Sequence, residues 1–379
     1  MPCFDRAQES TRLWEQFRAE RNLLMLAPRR IGKTVLLNHL RETAGAEGFR
    51  AIVLDVEGLP DEKAFFRECC ASIQEELSTG KAVMSSFGHR LSQLLRGSDV
   101  PAGDWRQWLA ATDWQDFADH LFSHLDDHQD DPPWLILVDE LPVFIQKLQT
   151  RDGPGAIQAF LYWLRGMRQK HRRIRWLYAG SIGLDSVARR NQVEGALNDL
   201  EPFTLGPFDT DTARRFIDDL ARRRGHRIED AAAQRIIERL GWLSPYYLER
   251  IAEDACARAD AAAPIDLTVA ELATDSLLDL DKRLYWASWR EHLDRNFTEP
   301  DRSRLYKILE TVAKAGTRGA DASLLLSALN QRDQSVGDLA LRDLVDTLVA
   351  DGYLVRSADG RWRFLMQLLR EWWLRYVVL

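Results

Sequence analysis

The fold of this 379-residue chain is decided by one stretch, Leu23-Leu24-Met25-Leu26-Ala27-Pro28-Arg29-Arg30-Ile31-Gly32-Lys33-Thr34-Val35-Leu36-Leu37. Its apolar start predicts a strand, and the residues after Thr34 have helical spacing. Between them lies a sequence close to the phosphate-binding Walker A pattern G-x-x-x-x-G-K-[ST], with Ala27 in place of the first Gly. In such loops, backbone N–H groups and the positive end of the helix dipole face phosphate oxygens. Lys33 adds a mobile charge, the Thr34 hydroxyl can bind Mg²⁺, and Gly32 lets the backbone approach the phosphates.

A second motif follows later in the chain. The run Trp134-Leu135-Ile136-Leu137-Val138-Asp139-Glu140 is typical of a buried parallel strand, and it ends in two carboxylates. In a Walker B strand the first carboxylate, Asp139, holds the Mg²⁺ shell, and the second, Glu140, acts as general base on the attacking water. The alternative is an ordinary strand with an acidic turn, but the order and separation of the motifs fit one site. We therefore predict binding of ATP and Mg²⁺, and ATP hydrolysis.

Composition and charge restrict the class of protein further. The net charge of −7 and the pI of about 5.7 give no bulk signature of nucleic-acid binding. No apolar run approaches the roughly 20 residues of a membrane span, and the N-terminus lacks the layout of a signal peptide. The lack of an apolar run of that length predicts a protein that does not bind membranes. The four cysteines contain no C-x-x-C pair, which predicts reduced thiols in a cytoplasmic protein.

Strand candidates alternate with helical stretches in the first half of the chain. This alternation predicts an α/β fold with a parallel sheet that is covered on both faces. The five strand candidates are Leu23–Ala27, Ala51–Asp55, Trp134–Val138, Arg175–Ala179 and Phe203–Leu205. Residues 60–131 read as several amphipathic helices broken at Gly80, Gly97 and Pro101-Ala102-Gly103. This region is too long for a plain crossover, so we expect a helical insertion.

The second half of the chain reads as helical until near its end. Helices are expected at Asp211–Arg224, Ile228–Leu240, Pro245–Ala262, Ser303–Ala315, Ala322–Asn330 and Asp338–Ala350. The last three precede two short strand candidates around Asp359-Gly360, which predict a hairpin. Three helices and a hairpin make a winged helix. We therefore predict an ATPase core over residues 1–208 with the insertion at 60–131, a helical lid and connector over 209–298, and a winged-helix domain over 299–379.

With these motifs the chain resembles the archaeal-ATPase group of P-loop ATPases. That group lies between the AAA+ proteins related to origin recognition and the STAND signalling ATPases. The segment from Ala27 to Thr34 is very similar to its P-R-R-x-G-K-T loop, in which Ala is accepted in place of Gly. The resemblance implies that the nucleotide is bound by Ala27, Pro28, Arg29, Arg30, Ile31, Gly32, Lys33, Thr34 and Val35.

Three further segments are similar to boxes of the same group. Phe4-Asp5-Arg6 with Glu9 resembles the F-x-G-R-x-x-E box, with Asp5 replacing Gly, which implies that Arg6 lies near the adenine. Ala179-Gly180-Ser181-Ile182-Gly183-Leu184 resembles the sensor segment and implies that Ser181 senses the γ-phosphate. Gly241-Trp242-Leu243-Ser244-Pro245-Tyr246-Tyr247-Leu248 resembles the lid motif, with Pro245 at the nucleotide. No arginine directly follows that proline, so the arginine typical of AAA+ lids is absent, which favours the STAND side.

Two charged clusters leave alternatives open. Arg189 and Arg190 follow the sensor segment and could act as arginine fingers on a neighbouring subunit, or form a solvated basic turn. His120, His124 and His128 have helical spacing that could bind a metal, but they flank an ordinary apolar stripe. We favour a surface helix without metal.

The sequence leaves open which cellular process the binding and hydrolysis of ATP would serve. The predicted third winged-helix helix, residues 338–346, is acidic, which opposes contact with DNA phosphates, although the hairpin carries Arg356, Arg361 and Arg363. The first hypothesis is a slow ATP-driven switch that acts on a protein partner or assembly, with defence or stress roles among its uses and homo-oligomers allowed. The alternatives are a DNA-associated AAA+ ATPase, such as an initiator-like loader or transposition regulator, and a nucleotide-binding scaffold with little hydrolysis. Weak nucleic-acid binding is compatible with each hypothesis.

Overall fold

The computed structural model describes residues 3–79, 110, 113–127, 131–180, 184–260, 263–331 and 336–378. The chain divides into two compact units. The first contains residues 1–27 and 33–205, and the second contains residues 28–32 and 206–379. The tip of the phosphate loop is therefore grouped with the C-terminal half of the chain. The expected boundaries at residues 208 and 298 stay predictions.

The first unit is built on a five-stranded parallel sheet in the order β2-β3-β4-β1-β5. Its strands are β1 (Asn22–Leu26), β2 (Arg50–Asp55), β3 (Trp134–Asp139), β4 (Ile174–Tyr178) and β5 (Leu200–Thr204). Every residue of β3 and β4 is buried, as expected of central parallel strands covered on both faces. Since all strands are parallel, their carboxyl ends meet at one edge, where Asp55 and Asp139 are register partners.

Seven described helices pack around this sheet. They are α1 (Ala7–Arg18), α2 (Lys33–Thr43), α3 (Glu62–Thr79), α4 (Trp114–Asp127), α5 (Leu141–Asp152), α6 (Pro154–Lys170) and α7 (Leu184–Arg190). The core on one side of the sheet is rich in aromatic side chains, and Phe66 lies within 5.4 Å of the rings of Trp114 and Trp163. Helices α3 and α4 belong to the predicted insertion, whose expected breaks at Gly80, Gly97 and residues 101–103 lie outside the described residues.

In its described residues, the second unit is helical apart from one hairpin. Its described helices are α8 (Thr210–Arg223), α9 (Asp230–Leu240), α10 (Pro245–Arg258), α11 (Leu267–Ser276), α12 (Leu284–Asn296), α13 (Asp301–Ala315), α14 (Ala322–Asn330), α15 (Asp338–Ala350) and α16 (Gln367–Tyr376). Strands β6 (Leu354–Arg356) and β7 (Trp362–Phe364) pair antiparallel after α15. Three helices followed by a hairpin give the element order of a winged helix, and α16 closes its core with Trp373 fully buried.

The α/β fold with a parallel sheet is confirmed, and all five strand candidates are strands of one sheet. The largest shift is in β5, which begins at Leu200, three residues before the expected start. The start of β5 was hidden in the sequence, because the exposed residues Glu201 and Pro202 interrupt the apolar run. None of the described helices is long and apolar enough to cross a membrane.

Candidate nucleotide site

The site forms where the carboxyl ends of β1 and β3 meet the first turn of α2. Thr34 is the second residue of α2, and Asp139 is the last residue of β3. The Thr34 hydroxyl donates a hydrogen bond of 2.6 Å to Asp139 Oδ2. The two motifs of the sequence, far apart in the chain, are thus joined by a direct side-chain contact in the first unit.

Asp139 is held in an environment that disfavours its charge. The residue is only 3% exposed. Burial raises the pKa of its carboxyl group, the Thr34 hydroxyl opposes that rise, and the nearby Glu140 carboxylate adds to it. The oxygens of Thr34 and Asp139 are the ligand type that Mg²⁺ takes, and a cation here would offset the cost of burying the carboxylate. The residues present therefore fit a magnesium ion.

Asp55 is a further carboxylate at this edge that the sequence motifs did not single out. It ends β2 directly beside Asp139 and contributes to the rise in the pKa of that group. Its own carboxylate accepts a hydrogen bond of 3.1 Å from the Glu57 backbone N–H. The signal was available in the sequence, because the Ala51–Asp55 run also ends an apolar strand in a carboxylate.

Glu140 occupies a strained backbone position between β3 and α5. Its φ of 58° lies in the left-handed region, which costs free energy for any residue with a Cβ. Its backbone N–H donates to Asp139 Oδ1 at 3.0 Å, so the Asp139 carboxylate is fixed to the backbone of this turn. Strain of this kind is kept where the surrounding structure fixes it, and it is concentrated at functional sites.

Lys33 is buried at the start of α2 and is 7% exposed. Its ammonium donates a hydrogen bond of 3.3 Å to the carbonyl oxygen of Ala27, the residue where the loop begins. The ammonium is thereby held close to the loop backbone, and its role in phosphate binding stays a prediction.

The N-terminal box shows the same left-handed backbone. Asp5 has a φ of 46° at the position where the resemblance expects glycine. Asp tolerates this region better than most residues, which explains how the substitution is accommodated. Arg6, which is 6% exposed, follows directly and donates to Glu9 Oε1 at 2.5 Å. A role for Arg6 at the adenine stays a prediction.

The tip of the loop, Pro28–Gly32, is held by residues of the C-terminal unit. Arg30 has a φ of 64° and Gly32 a φ of 90°. The Ser244 hydroxyl donates to the Arg30 carbonyl oxygen at 2.5 Å, and the Arg30 guanidinium lies 4.2 Å from the ring centre of Tyr246. Motif matching missed these partners, because their side chains come from positions more than two hundred residues away.

Both loop arginines therefore direct their side chains to this unit. Arg30 Nη2 also donates to Ser288 Oγ at 3.4 Å, and Arg29 Nη2 lies 2.6 Å from His292 Nδ1. The expectation that Arg29 and Arg30 bind the nucleotide did not anticipate these contacts. Ile31 is completely buried, so its side chain serves the core, while direct nucleotide contacts of the loop stay a prediction.

The remaining expected site residues have mixed placements. Ser181 and the side chain of Arg190 lie outside the described residues. Arg189 is exposed and lies 3.7 Å from Glu194 in an ion pair, and its role as a finger stays a prediction. Pro245 is the first residue of α10. Arg250, five residues further on, forms an ion pair with Glu253 at 2.8 Å.

The histidine stripe on α4 differs from the expected surface placement. His124 is buried, because it lies on the apolar face together with Leu121 and Leu125. His120 is exposed, and its ring lies 2.7 Å from the Asp116 carbonyl oxygen. His128 lies outside the described residues, and among the described residues no group of three metal-binding side chains occurs.

Comparisons with known proteins bear on the fold of the chain. No family model and no curated protein matches the chain. Among solved structures, the Walker-type ATPase PABY2304 of Pyrococcus abyssi is similar, with a TM-score of 0.65 and 18% identity over 98% of this chain and 95% of that chain. The Aeropyrum pernix ORC2 protein, solved in ADPNP–ADP complexes, has a TM-score of 0.56 and 14% identity over 96% of this chain and 90% of that chain. The fold is that of the archaeal, ORC-related group of P-loop ATPases.

Proposed function

We propose that this protein is an ATP-binding, slowly hydrolysing molecular switch that acts by conformational change on a protein partner. The observation that carries the proposal is the hydrogen bond of 2.6 Å between Thr34 and Asp139, with Glu140 next in the chain. It brings the hydroxyl of the phosphate loop and the carboxylates of the acidic strand into one site. The fold it shares with nucleotide-bound ATPases supports the same function.

Each residue has a role that follows from its position. Lys33 supplies a positive charge at the start of α2, and the loop supplies backbone N–H donors. Together they hold the phosphates. Thr34 and Asp139 would hold Mg²⁺, which when bound neutralises phosphate charge. Glu140 orients the attacking water and takes its proton as general base.

The output is a conformation and not a released product, so a slow turnover suffices. Residues 28–32 carry phosphate-loop backbone and are grouped with the helical C-terminal unit. Order changes around a γ-phosphate are a common way for such sites to transmit their state. The acidic surface of α15, with Asp338, Asp343 and Asp346 exposed, favours a protein partner over DNA. The four cysteines have free thiols, which is consistent with action in the cytoplasm.

The test is Glu140→Gln, which keeps the size of the side chain and removes the base. ATP hydrolysis should fall about a hundredfold or more, the scale of a lost general base, while the affinity for Mg·ATP stays within a few-fold of wild type. Hydrolysis is measured by phosphate release, and Glu62→Gln, at a partly buried ion pair with Arg151, is the control. Hydrolysis by Glu140→Gln at the wild-type rate would place the base elsewhere and contradict the assigned role.

The switch itself is tested by limited proteolysis and particle mass in ADP and in a non-hydrolysable ATP analogue. We expect the two nucleotides to give different cleavage patterns, because the γ-phosphate must change the conformation of the C-terminal unit for the switch to have an output. Identical patterns and masses with both nucleotides bound would favour the scaffold alternative.

A further inference from the structure

The contact between Arg29 and His292 is continued by a buried hydrogen bond between His292 and Asp351. Arg29 Nη2 lies 2.6 Å from His292 Nδ1 on α12, and His292 Nε2 lies 2.9 Å from Asp351 Oδ2 at the end of α15. The side chains of His292 and Asp351 are 0% and 1% exposed. All three residues belong to the C-terminal unit, which also contains the tip of the loop.

The direction of the hydrogen bonds follows from the chemistry of the three groups. A guanidinium can only donate, so His292 Nδ1 must be the acceptor. The Asn296 amide nitrogen also lies 2.9 Å from this nitrogen, so the two donors share its single lone pair. The proton of the imidazole therefore lies on Nε2 and is donated to the Asp351 carboxylate. The ring lies between the partly buried guanidinium of Arg29 and the buried carboxylate of Asp351.

The backbone next to these hydrogen bonds is also closely packed, at Pro28 and Gly352. Gly352, next to Asp351, has a φ of 82°, and a Cβ at this position would lie 2.7 Å from the Cβ of Pro28. The loop tip thus packs directly against the turn that follows α15. On its other side, Ser244 and Tyr246 hold Arg30 in its left-handed conformation. A strained conformation persists only where its surroundings fix it, so these contacts determine the shape of the loop.

We propose that Arg29, His292 and Asp351 form a positioning relay that holds the phosphate loop in its nucleotide-binding shape and links nucleotide release to α12 and α15. The proposal rests on the proposed function, since it concerns the same loop. Arg29 acts through His292 and not through the phosphates. Loss of one member removes a hydrogen bond from its buried neighbour and changes the geometry of the next one, so the effects of single losses overlap instead of adding.

The rival role for Arg29 is a direct phosphate contact. Its Nε is buried and has no hydrogen-bond partner within the described part of the chain, so one donor is not used by the relay. The two roles differ in how mutations combine. A direct contact gives an Arg29 effect that is independent of His292, whereas a relay gives one shared effect.

The experiment measures the dissociation rate of a fluorescent ADP analogue from the full chain by stopped flow. The variants are Arg29→Leu, His292→Leu and the double variant. We expect each single variant to release ADP about tenfold faster than wild type, a change of about 1.4 kcal/mol, and the double variant to be no faster than either single one. His292→Gln, which offers one acceptor and one donor, should return the rate to within about threefold of wild type. Arg295→Ala, at an exposed arginine of the same helix, should leave the rate unchanged.

Three results would overturn the relay. An unchanged rate of ADP release from folded His292→Leu would show that these hydrogen bonds do not affect the loop. A double variant about a hundredfold faster than wild type would make the effects independent and assign Arg29 to the phosphates. A His292→Gln rate equal to that of His292→Leu would show that packing, and not hydrogen bonding, matters. If the Leu variants do not fold, the release rates of His292→Gln and Asp351→Asn are compared with that of wild type. Failure of wild type to bind ADP would instead refute the proposed function.

Discussion

Left-handed backbone at residues with side chains is the most telling feature at the scale of single residues. Asp5, Arg30 and Glu140 have φ values of 46°, 64° and 58°, and each lies in a segment that the sequence motifs had assigned to the nucleotide site, whereas Glu20 and Gln192, with φ values of 61° and 56°, lie outside those segments. Such conformations cost on the order of 1–3 kcal/mol each, so they are kept where geometry matters more than stability. The strain supports a functional role for these three turns.

Asp5 allows a direct test of this strain. Asp5→Gly should leave the melting temperature unchanged or raise it slightly, because glycine takes a positive φ without steric cost. Asp5→Val should lower stability by about 1–2 kcal/mol, because a β-branched residue is an outlier in this region. Thermal unfolding monitored by circular dichroism compares the two, with Gln8→Val on the exposed face of α1 as control. A Val variant as stable as the Gly variant would mean that residue 5 does not adopt this conformation.

At the scale of elements, the chain marks its helices with local signals that the structure uses. Asp209 caps α8, and its carboxylate accepts a hydrogen bond of 2.7 Å from the Thr212 backbone N–H. This hydrogen bond from the Thr212 N–H lowers the pKa of Asp209. The same arrangement recurs at Asp266 and Asp321, which cap α11 and α14.

Asp209→Ala should destabilise the C-terminal unit by about 1 kcal/mol, the usual cost of a lost cap, while Asp209→Asn should cost much less. Because the folded pKa is lowered, the charged cap contributes fully above the unfolded value of about 3.9 and is lost as pH falls through the folded value. Denaturant unfolding at pH 6 and pH 8 should therefore give the same loss. A loss that changes between these two pH values would exclude the cap as its cause.

Elements with a strong local pattern could be predicted from the sequence. The runs at Leu23 and Trp134 are unbroken and apolar, and α14 and α15 have the bounds expected from their periodicity. The start of β5 and the burial of His124 could not be predicted, because tertiary packing decides them. The contacts of Arg29 with His292 and of Arg30 with Tyr246 were invisible for the same reason. The motif showed that the loop carries two arginines, but not which element would receive them.

At the scale of the whole molecule, the surface of the C-terminal helices and hairpin bears on the choice of partner. Asp338, Asp343 and Asp346 are exposed on α15 together with Leu339, which is 78% exposed. The hairpin arginines have internal partners, since Arg363 pairs with Asp359 at 2.7 Å and Arg356 lies over the Trp362 ring. Both features weaken attraction to DNA phosphates.

The full chain should therefore bind duplex DNA weakly, and any binding at low salt should vanish at physiological salt, as expected for non-specific phosphate contacts. Fluorescence anisotropy with labelled duplexes of different sequence measures this, with Arg361→Ala as a probe of the hairpin. Sequence-selective binding that survives physiological salt would place the DNA-associated alternative first.

We propose that one site, made by the phosphate loop and the acidic strand, binds Mg·ATP. Isothermal titration of Mg·ATP into wild type, Lys33→Ala and Lys170→Ala measures this binding. Lys33 is held beside the loop, whereas Lys170 is half exposed in an ion pair with Asp119. We expect wild type and Lys170→Ala to bind one equivalent with the same affinity, and Lys33→Ala to bind at least tenfold more weakly, because a charge-assisted contact is worth about 1.5–3 kcal/mol. Equal affinities for folded Lys33→Ala and wild type would contradict the account.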